Sequence, residues 1–286
     1  MVKQKRISIV ILLVYLFCAY FGGEWYWSVR YQEQIQLNLT QLNRATSQLN
    51  SQLEKYAHIP QLLSKDRELI DALKNAKNTA QIEITNRYLE NVNRIIEAAD
   101  TYLLDINGTT IAASNWDSDK TFVGRNFAFR PYFQQAIKEG YGQYFALGST
   151  SGKRGFYYSF PVTYAADNIG VVVVKTNLTD IEKNWSSDES HFIANDENGV
   201  IFMSSNPDWL YKSLFTLSNE RIARIKDNRQ YLDTKIVSLD FLQDHHGKTG
   251  ELKKVKSVFF SNTYIDAKLR THAQPLEIRI LTPKVL

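Results

Sequence analysis

Hydrophobic positions change period several times along this chain, and each change marks a different element. Ile7 to Gly23 carry no charge and are almost wholly aliphatic or aromatic. From Ser28 to about Tyr56 the apolar positions advance in steps of four and three: Ile35, Leu39, Leu42, Thr46, Leu49, Leu53 and Tyr56. That a/d spacing predicts one long helix with a continuous seam, which no Gly or Pro interrupts before Pro60. A helix projecting from a membrane with such a seam suggests a homodimer contact. Further helical periods run over Gln61–Lys74 and Ala80–Ala98.

The period then shortens to two. Thr101 to Asn115 reads as strand, Asn107-Gly108 turn, strand. Phe127 to Lys138 predicts a short helix with Arg130-Pro131 in its first turn, and strands follow at Tyr144–Ser151, Gly155–Phe160 and Gly170–Lys175. His191 to Asn206 repeats the hairpin: Asp105-x-Asn107-Gly108 and Asp196-x-Asn198-Gly199 are each followed five residues later by Ser-Asn, at an offset of 91. This is an internal repeat, two copies of one α+β unit. Later strands are expected at Lys256–Ile265, Leu269–Ala273 and Leu276–Thr282, with no second Arg-Pro-Tyr-Phe helix and no second lysine ending a valine strand.

Lys3, Lys5 and Arg6 precede the apolar run, so residues 7–23 read as a membrane-spanning signal anchor with residues 1–6 in the cytoplasm. No small-x-small cleavage site follows, and Trp25, Tyr26 and Trp27 suit the outer interface. Cys18 is the only cysteine, so the exported part is held by its cores and not by disulfides.

With 44% hydrophobic and 22% charged residues, 286 residues suffice for one or two domains with true cores. The pI near 8.9 comes without a Lys/Arg stripe interleaved with aromatics, which argues against nucleic acid as a partner. The positive excess is concentrated: Thr121 to Lys175 hold Arg125, Arg130, Lys138, Lys153, Arg154 and Lys175 against Glu139 and Asp167. Lys138, Lys153 and Arg154 read as solvated surface. Lys175 ends a run of four valines, and a cation in such surroundings needs an anion to pair with. Arg130 is the second cation expected to face the same cleft.

Catalysis finds little support. Ser149-Thr150-Ser151 has no nearby His-Asp pair, and Asp105-Ile-Asn107-Gly108 lacks the distal glutamate of a calcium loop. The histidines are His58, His191, His245, His246 and His272, and adjacent His245 and His246 in a Gly-containing loop make a poor metal site. No metal, cofactor or Gly-rich nucleotide loop is expected.

Asn115-Trp116, Phe122-Val-Gly124, Asn126-Phe-Ala-Phe-Arg130-Pro-Tyr-Phe-Gln-Gln-Ala, Tyr144-Phe-Ala-Leu-Gly-Ser-Thr-Ser-Gly, Gly155-Phe-Tyr-Tyr-Ser and Gly170-Val-Val-Val-Val-Lys175 together resemble the periplasmic sensor region of bacterial C4-dicarboxylate sensor histidine kinases. The resemblance implies a double Cache architecture: a long helix (residues 24–60) carrying two PAS-like α+β units with antiparallel sheets. Residues 61–187 would be the membrane-distal unit, holding succinate, fumarate or malate, and residues 188–286 the membrane-proximal one. By that resemblance Arg130 and Lys175 engage the carboxylates. Ser149, Thr150, Ser151 and the phenol of Tyr157 or Tyr158 supply hydroxyls, and Tyr144 and Phe127 complete the candidate site. A family kinase also has a second membrane span, a dimerisation histidine helix and an ATP-binding domain, through which it reaches a response regulator. This chain is expected to be either the input half of such a kinase or a truncated protein that senses without signalling, in both cases as a homodimer. The other readings are a membrane-anchored interaction module with a vestigial pocket, or the input of a chemoreceptor or cyclase for another carboxylate. An Arg plus Lys pair argues against amino acids, whose ammonium group would want an acid in the pocket.

Overall fold

Asp105 and Asp196 show why two stretches 91 residues apart fold alike. In the computed structural model, which describes residues 2–183, 185, 190–240, 251–256, 261–270 and 276–283, each carboxylate accepts from two backbone amides of its own turn. Asp105 Oδ1 takes Asn107 and Thr109 N–H at 2.9 and 2.8 Å; Asp196 Oδ1 takes Asn198 and Val200 N–H at 3.0 and 2.8 Å. The hairpins so formed are β1 (Asp100–Asp105) with β2 (Thr110–Ala113), and β6 (His191–Asn195) with β7 (Ile201–Ser204). Their registers slip at equivalent places, Leu103/Leu104 and Ala194/Asn195. Gly108 sits at φ +78°, and a β-carbon there would stand 2.7 Å from Ala128 Cα, so both its conformation and its crowding demand glycine.

Each hairpin forms one side of a five-stranded antiparallel sheet. The first adds β3 (Gly142–Leu147), β4 (Arg154–Tyr164) and β5 (Asp167–Thr176); the second adds β8 (Glu251–Lys256), β9 (Ser261–Arg270) and β10 (Glu277–Pro283). The orders, β2-β1-β5-β4-β3 and β7-β6-β10-β9-β8, are the same topology twice. This is the α+β fold of two tandem PAS-like, double Cache units. β8 is absent from the sequence reading because Glu-Leu-Lys-Lys-Val-Lys carries the charges of an edge strand. Residues 257–260 and 271–273, within the expected strands Lys256–Ile265 and Leu269–Ala273, lie outside the described residues, as do His245, His246 and His272.

Helices cover one face of both sheets. The apolar run and the heptad positions share one helix, α1 (Val2–Ala57). It is long and apolar enough to cross a membrane, and Val10 to Phe21 stay exposed. The seam, however, does not wait for a second copy. Leu42, Leu49, Leu53 and Tyr56 are buried in the main core of their own chain, together with Leu103, Val172 and Val174 of the first sheet and Ile278 and Ile280 of the second. Each such side chain contributes about 2 kcal/mol by leaving water. The stretch expected as one helix over Gln61–Lys74 is two, α2 (Ile59–Leu63) and α3 (Arg67–Lys74), because Asp66 caps a new start by accepting from Glu68 N–H at 2.9 Å. α4 (Thr79–Ile96), capped by Asn78, completes the layer.

Candidate ligand site

The opposite face of the first sheet holds the second apolar cluster, and there the chain builds a cleft. α5 (Pro131–Glu139) begins four residues later than its sequence pattern suggested. Pro131 suits the first helical position and forces its predecessor out of the helix, so Arg130 is extended at φ −77°, ψ 132°. Alternation along β1 and β5 directs Tyr102, Val171 and Val173 to the same side. The cleft is narrow, with a cavity of about 10 Å³, the room of roughly one water; Tyr102, Phe122, Phe127, Tyr132 and Tyr157 wall it, while Arg130, Gly148, Ser149 and Thr150 supply its polar rim. Tyr132 and Tyr157 stack at 5.1 Å, and Tyr102 and Tyr132 share a hydroxyl hydrogen bond of 2.8 Å. Burial holds all three phenols above their usual range, so they remain neutral.

Arg130 is 2% exposed. Its Nη1 donates to the carbonyls of Asn228 and Arg229 at 3.3 and 3.0 Å, and its Nη2 to that of Leu147 at 2.8 Å. A guanidinium has five N–H groups. These bonds engage Nη1 and Nη2 and leave Nε–H for a carboxylate.

Lys175 lies at the end of β5, also 2% exposed, with Nζ 5.7 Å from the Phe122 ring centre and 6.0 Å from that of Tyr157. A β-carbon at Gly155 would stand 2.8 Å from Lys175 Cε, so glycine makes room for the lysine stem. The anion that Lys175 needs is internal: Asp100 Oδ2 lies at 3.0 Å, and Ser151 Oγ accepts at 3.1 Å. Burial pushes the Asp100 carboxyl above its ordinary range, while the Lys175 cation pulls it back. Two cations and one carboxylate leave a single positive charge in excess.

Phe127, Arg130, Ser149, Thr150 and Tyr157 therefore meet in the cleft, with Ser151 and Lys175 beside it. Tyr158 is a correction. It follows Tyr157 on β4 and so points to the helix layer, where its ring lies 4.9 Å from Phe156. Tyr144 faces Tyr157 across the ladder and stands near Arg130 instead of lining the cleft. Arg154 is no solvated surface charge. It pairs with Glu182 and donates to the Phe202 carbonyl. Asp100, Tyr102 and Phe122 escaped the sequence reading, although alternation back from the Asp105 turn puts Asp100 and Tyr102 on one face.

A crystal structure of the Vibrio cholerae histidine kinase DctB sensor domain superposes with a TM-score of 0.84 and is 48% identical, covering 90% of this chain and 100% of that one. The chain belongs to the DctB sensor-domain family. Two C4-dicarboxylate transport sensor proteins DctB agree: that of Pseudomonas aeruginosa is 34% identical over 225 residues and that of Rhizobium meliloti 31% over 195. The chain spans 37% and 31% of their lengths. The ligand-binding domain of a Campylobacter jejuni chemoreceptor, 13% identical with a TM-score of 0.56, shares the fold alone. No family model matches the chain.

Proposed function

We propose that this chain is the extracytoplasmic input region of a two-component sensor histidine kinase, and that its cleft takes a C4-dicarboxylate. Residues 7–23 would span the inner membrane with residues 1–6 in the cytoplasm. Residues 61–187 would form the membrane-distal, ligand-holding unit in the periplasm, and residues 188–286 the membrane-proximal unit. The response regulator would be reached through a kinase region, and the working form would be a homodimer. The observation that carries the reading is the buried Arg130, held by carbonyls at Nη1 and Nη2 with its Nε–H left for a ligand, in an aromatic-walled cleft with Lys175 close by. One carboxylate would lie against Arg130, the other near Lys175 and Ser151, with Ser149, Thr150 and Tyr157 completing their hydrogen bonds.

Asp100 favours a second reading. It supplies the acid that an ammonium group would seek, so an α-amino dicarboxylate such as aspartate becomes a rival to succinate. Calorimetric titration of the full chain in detergent with succinate, aspartate and butyrate tests both. The dicarboxylate reading expects saturable binding of succinate and little of butyrate, which leaves one cation unpaired. Heat from aspartate alone would transfer the assignment to amino dicarboxylates, and equal affinity for succinate and butyrate would overturn the two-cation site.

A further inference from the structure

Two of the three carbonyls that orient Arg130 come from the second unit: beyond α6 (Thr179–Lys183), they belong to a segment that follows α7 (Asn219–Asp227) between β7 and β8. This segment is fixed with unusual care. Arg229 adopts φ +47°, the left-handed region that side-chain-bearing residues seldom enter. The Gln230 carbonyl accepts Leu147 N–H at 2.9 Å, continuing the edge of β3, and Gln230 Nε2 donates to the Phe145 carbonyl at 3.2 Å. Gln230 Nε2 and Tyr231 OH also donate to Asp196 Oδ2 at 3.1 and 2.9 Å. Asp196 thus holds its own Asn-Gly turn with one oxygen and the segment with the other, whereas Asp105 serves its turn alone in the bonds it makes.

We propose that Gln230 and Asp196 of the second unit are positioning residues for the ligand site of the first. They set the carbonyls of Asn228 and Arg229 against Nη1 of Arg130, and this alignment leaves Nε–H for the ligand. Without those carbonyls the guanidinium can rotate about its long side chain, and the alignment needed to hold a carboxylate is lost. The same joint makes ligand affinity depend on how the two units sit together, because Leu147, whose N–H and C=O both enter it, opens the loop that carries Ser149 and Thr150.

The dicarboxylate part of this inference rests on the reading above, and two measurements on the full chain in detergent separate them. The first uses no ligand: melting temperatures of wild type, Arg130→Lys, Gln230→Ala and the double variant. A joint expects the double variant to lose clearly less than the two single losses combined; strict additivity overturns it. The second titrates succinate. Gln230→Ala should weaken binding about tenfold in the wild-type background and less than about twofold in Arg130→Lys, since the residue acts through Arg130. Equal weakening in both backgrounds, or affinity within twofold of wild type, overturns positioning. Wild type that takes no succinate overturns the ligand reading while the melting cycle still decides the joint. Should Gln230→Ala fail to melt cooperatively, Tyr231→Phe, which deletes one Asp196 hydrogen bond, replaces it in both cycles.

Discussion

Asp100 stands directly across the β1–β5 ladder from Lys175, and its Oδ2 lies 3.0 Å from the lysine Nζ. The site therefore carries its own counter-ion. An incoming carboxylate must compete with Asp100 for Lys175 or share the lysine with it, whereas no carboxylate pairs with Arg130 among the described residues. The two cations are not equivalent partners.

Replacing Asp100 with Asn removes the competitor and keeps the shape. Succinate affinity should rise by about tenfold, within the range measured for close charge pairs. Aspartate binding should fall if its ammonium group uses Asp100. Lys175→Ala should lower the stability of the fold by roughly 3–5 kcal/mol by leaving the Asp100 carboxylate buried without its partner. Calorimetry and urea melts of the two variants check this. Succinate affinity that drops in Asp100→Asn would place Asp100 on the ligand's side.

A second ion pair ties the units together. Arg154 of β4 grips Glu182 in the helix after β5 and donates to the Phe202 carbonyl on β7, while Glu182 Oε1 accepts Ser204 N–H at 2.9 Å. Arg154→Ala should cost roughly 2–3 kcal/mol, the value for a broken buried pair discounted for partial exposure. Lys138→Ala, at an exposed site, should stay within about 0.5 kcal/mol. Urea midpoints of both variants are the measurement, and equal shifts would mean the Arg154 pair holds nothing.

These relationships mark what a sequence discloses. The Asp-x-Asn-Gly repeat is legible because a tight turn constrains residue type within five positions. The Arg130-Pro131 element is legible for the same local reason. Asp100 and Lys175 are 75 residues apart and meet only through strand pairing, which leaves no local trace. Alternation tells that Tyr157 and Tyr158 face opposite sides, yet only the packed helices decide which side is the cleft. Arg154 sits in an ordinary basic loop sequence, and its partner Glu182 belongs to another element.

Asp196 gives a pH signature. Burial pushes its carboxyl up to about 6, against the ordinary carboxylate value in the unfolded chain. Between those values the folded protein binds more protons than the unfolded one, so this group's contribution to stability is complete at low pH. It is lost as pH rises through about 6. Asp196→Asn has no such titration. The stability of wild type relative to this variant should therefore increase on going from about pH 7 to about pH 5, by roughly 1.3 kcal/mol. Asp100 shifts in the same direction but is present in both proteins and cancels. A flat difference across that range would show that Asp196 is ionised as an ordinary carboxylate.

An a/d spacing states that one face of a helix is covered, and not by what. Here Leu49 is 0% exposed within its own chain, whereas Leu37, on the outward face among Gln36, Thr40 and Arg44, is 50% exposed. Leu49→Ala should destabilise the fold by roughly 2–5 kcal/mol through the cavity it opens. Leu37→Ala should change stability by no more than about 0.5 kcal/mol. Thr46 is buried with the seam, so a cysteine at 46 should not reach a second copy, while cysteines at Leu37 or Ser51 on the open face are free to do so. Crosslinking in membranes at 46 but not at 37 or 51, together with a mild effect of Leu49→Ala, would restore the seam as a contact between protomers. The opposite pattern assigns the seam to the protein's own core and leaves any homodimer to the polar face of α1 or to another surface.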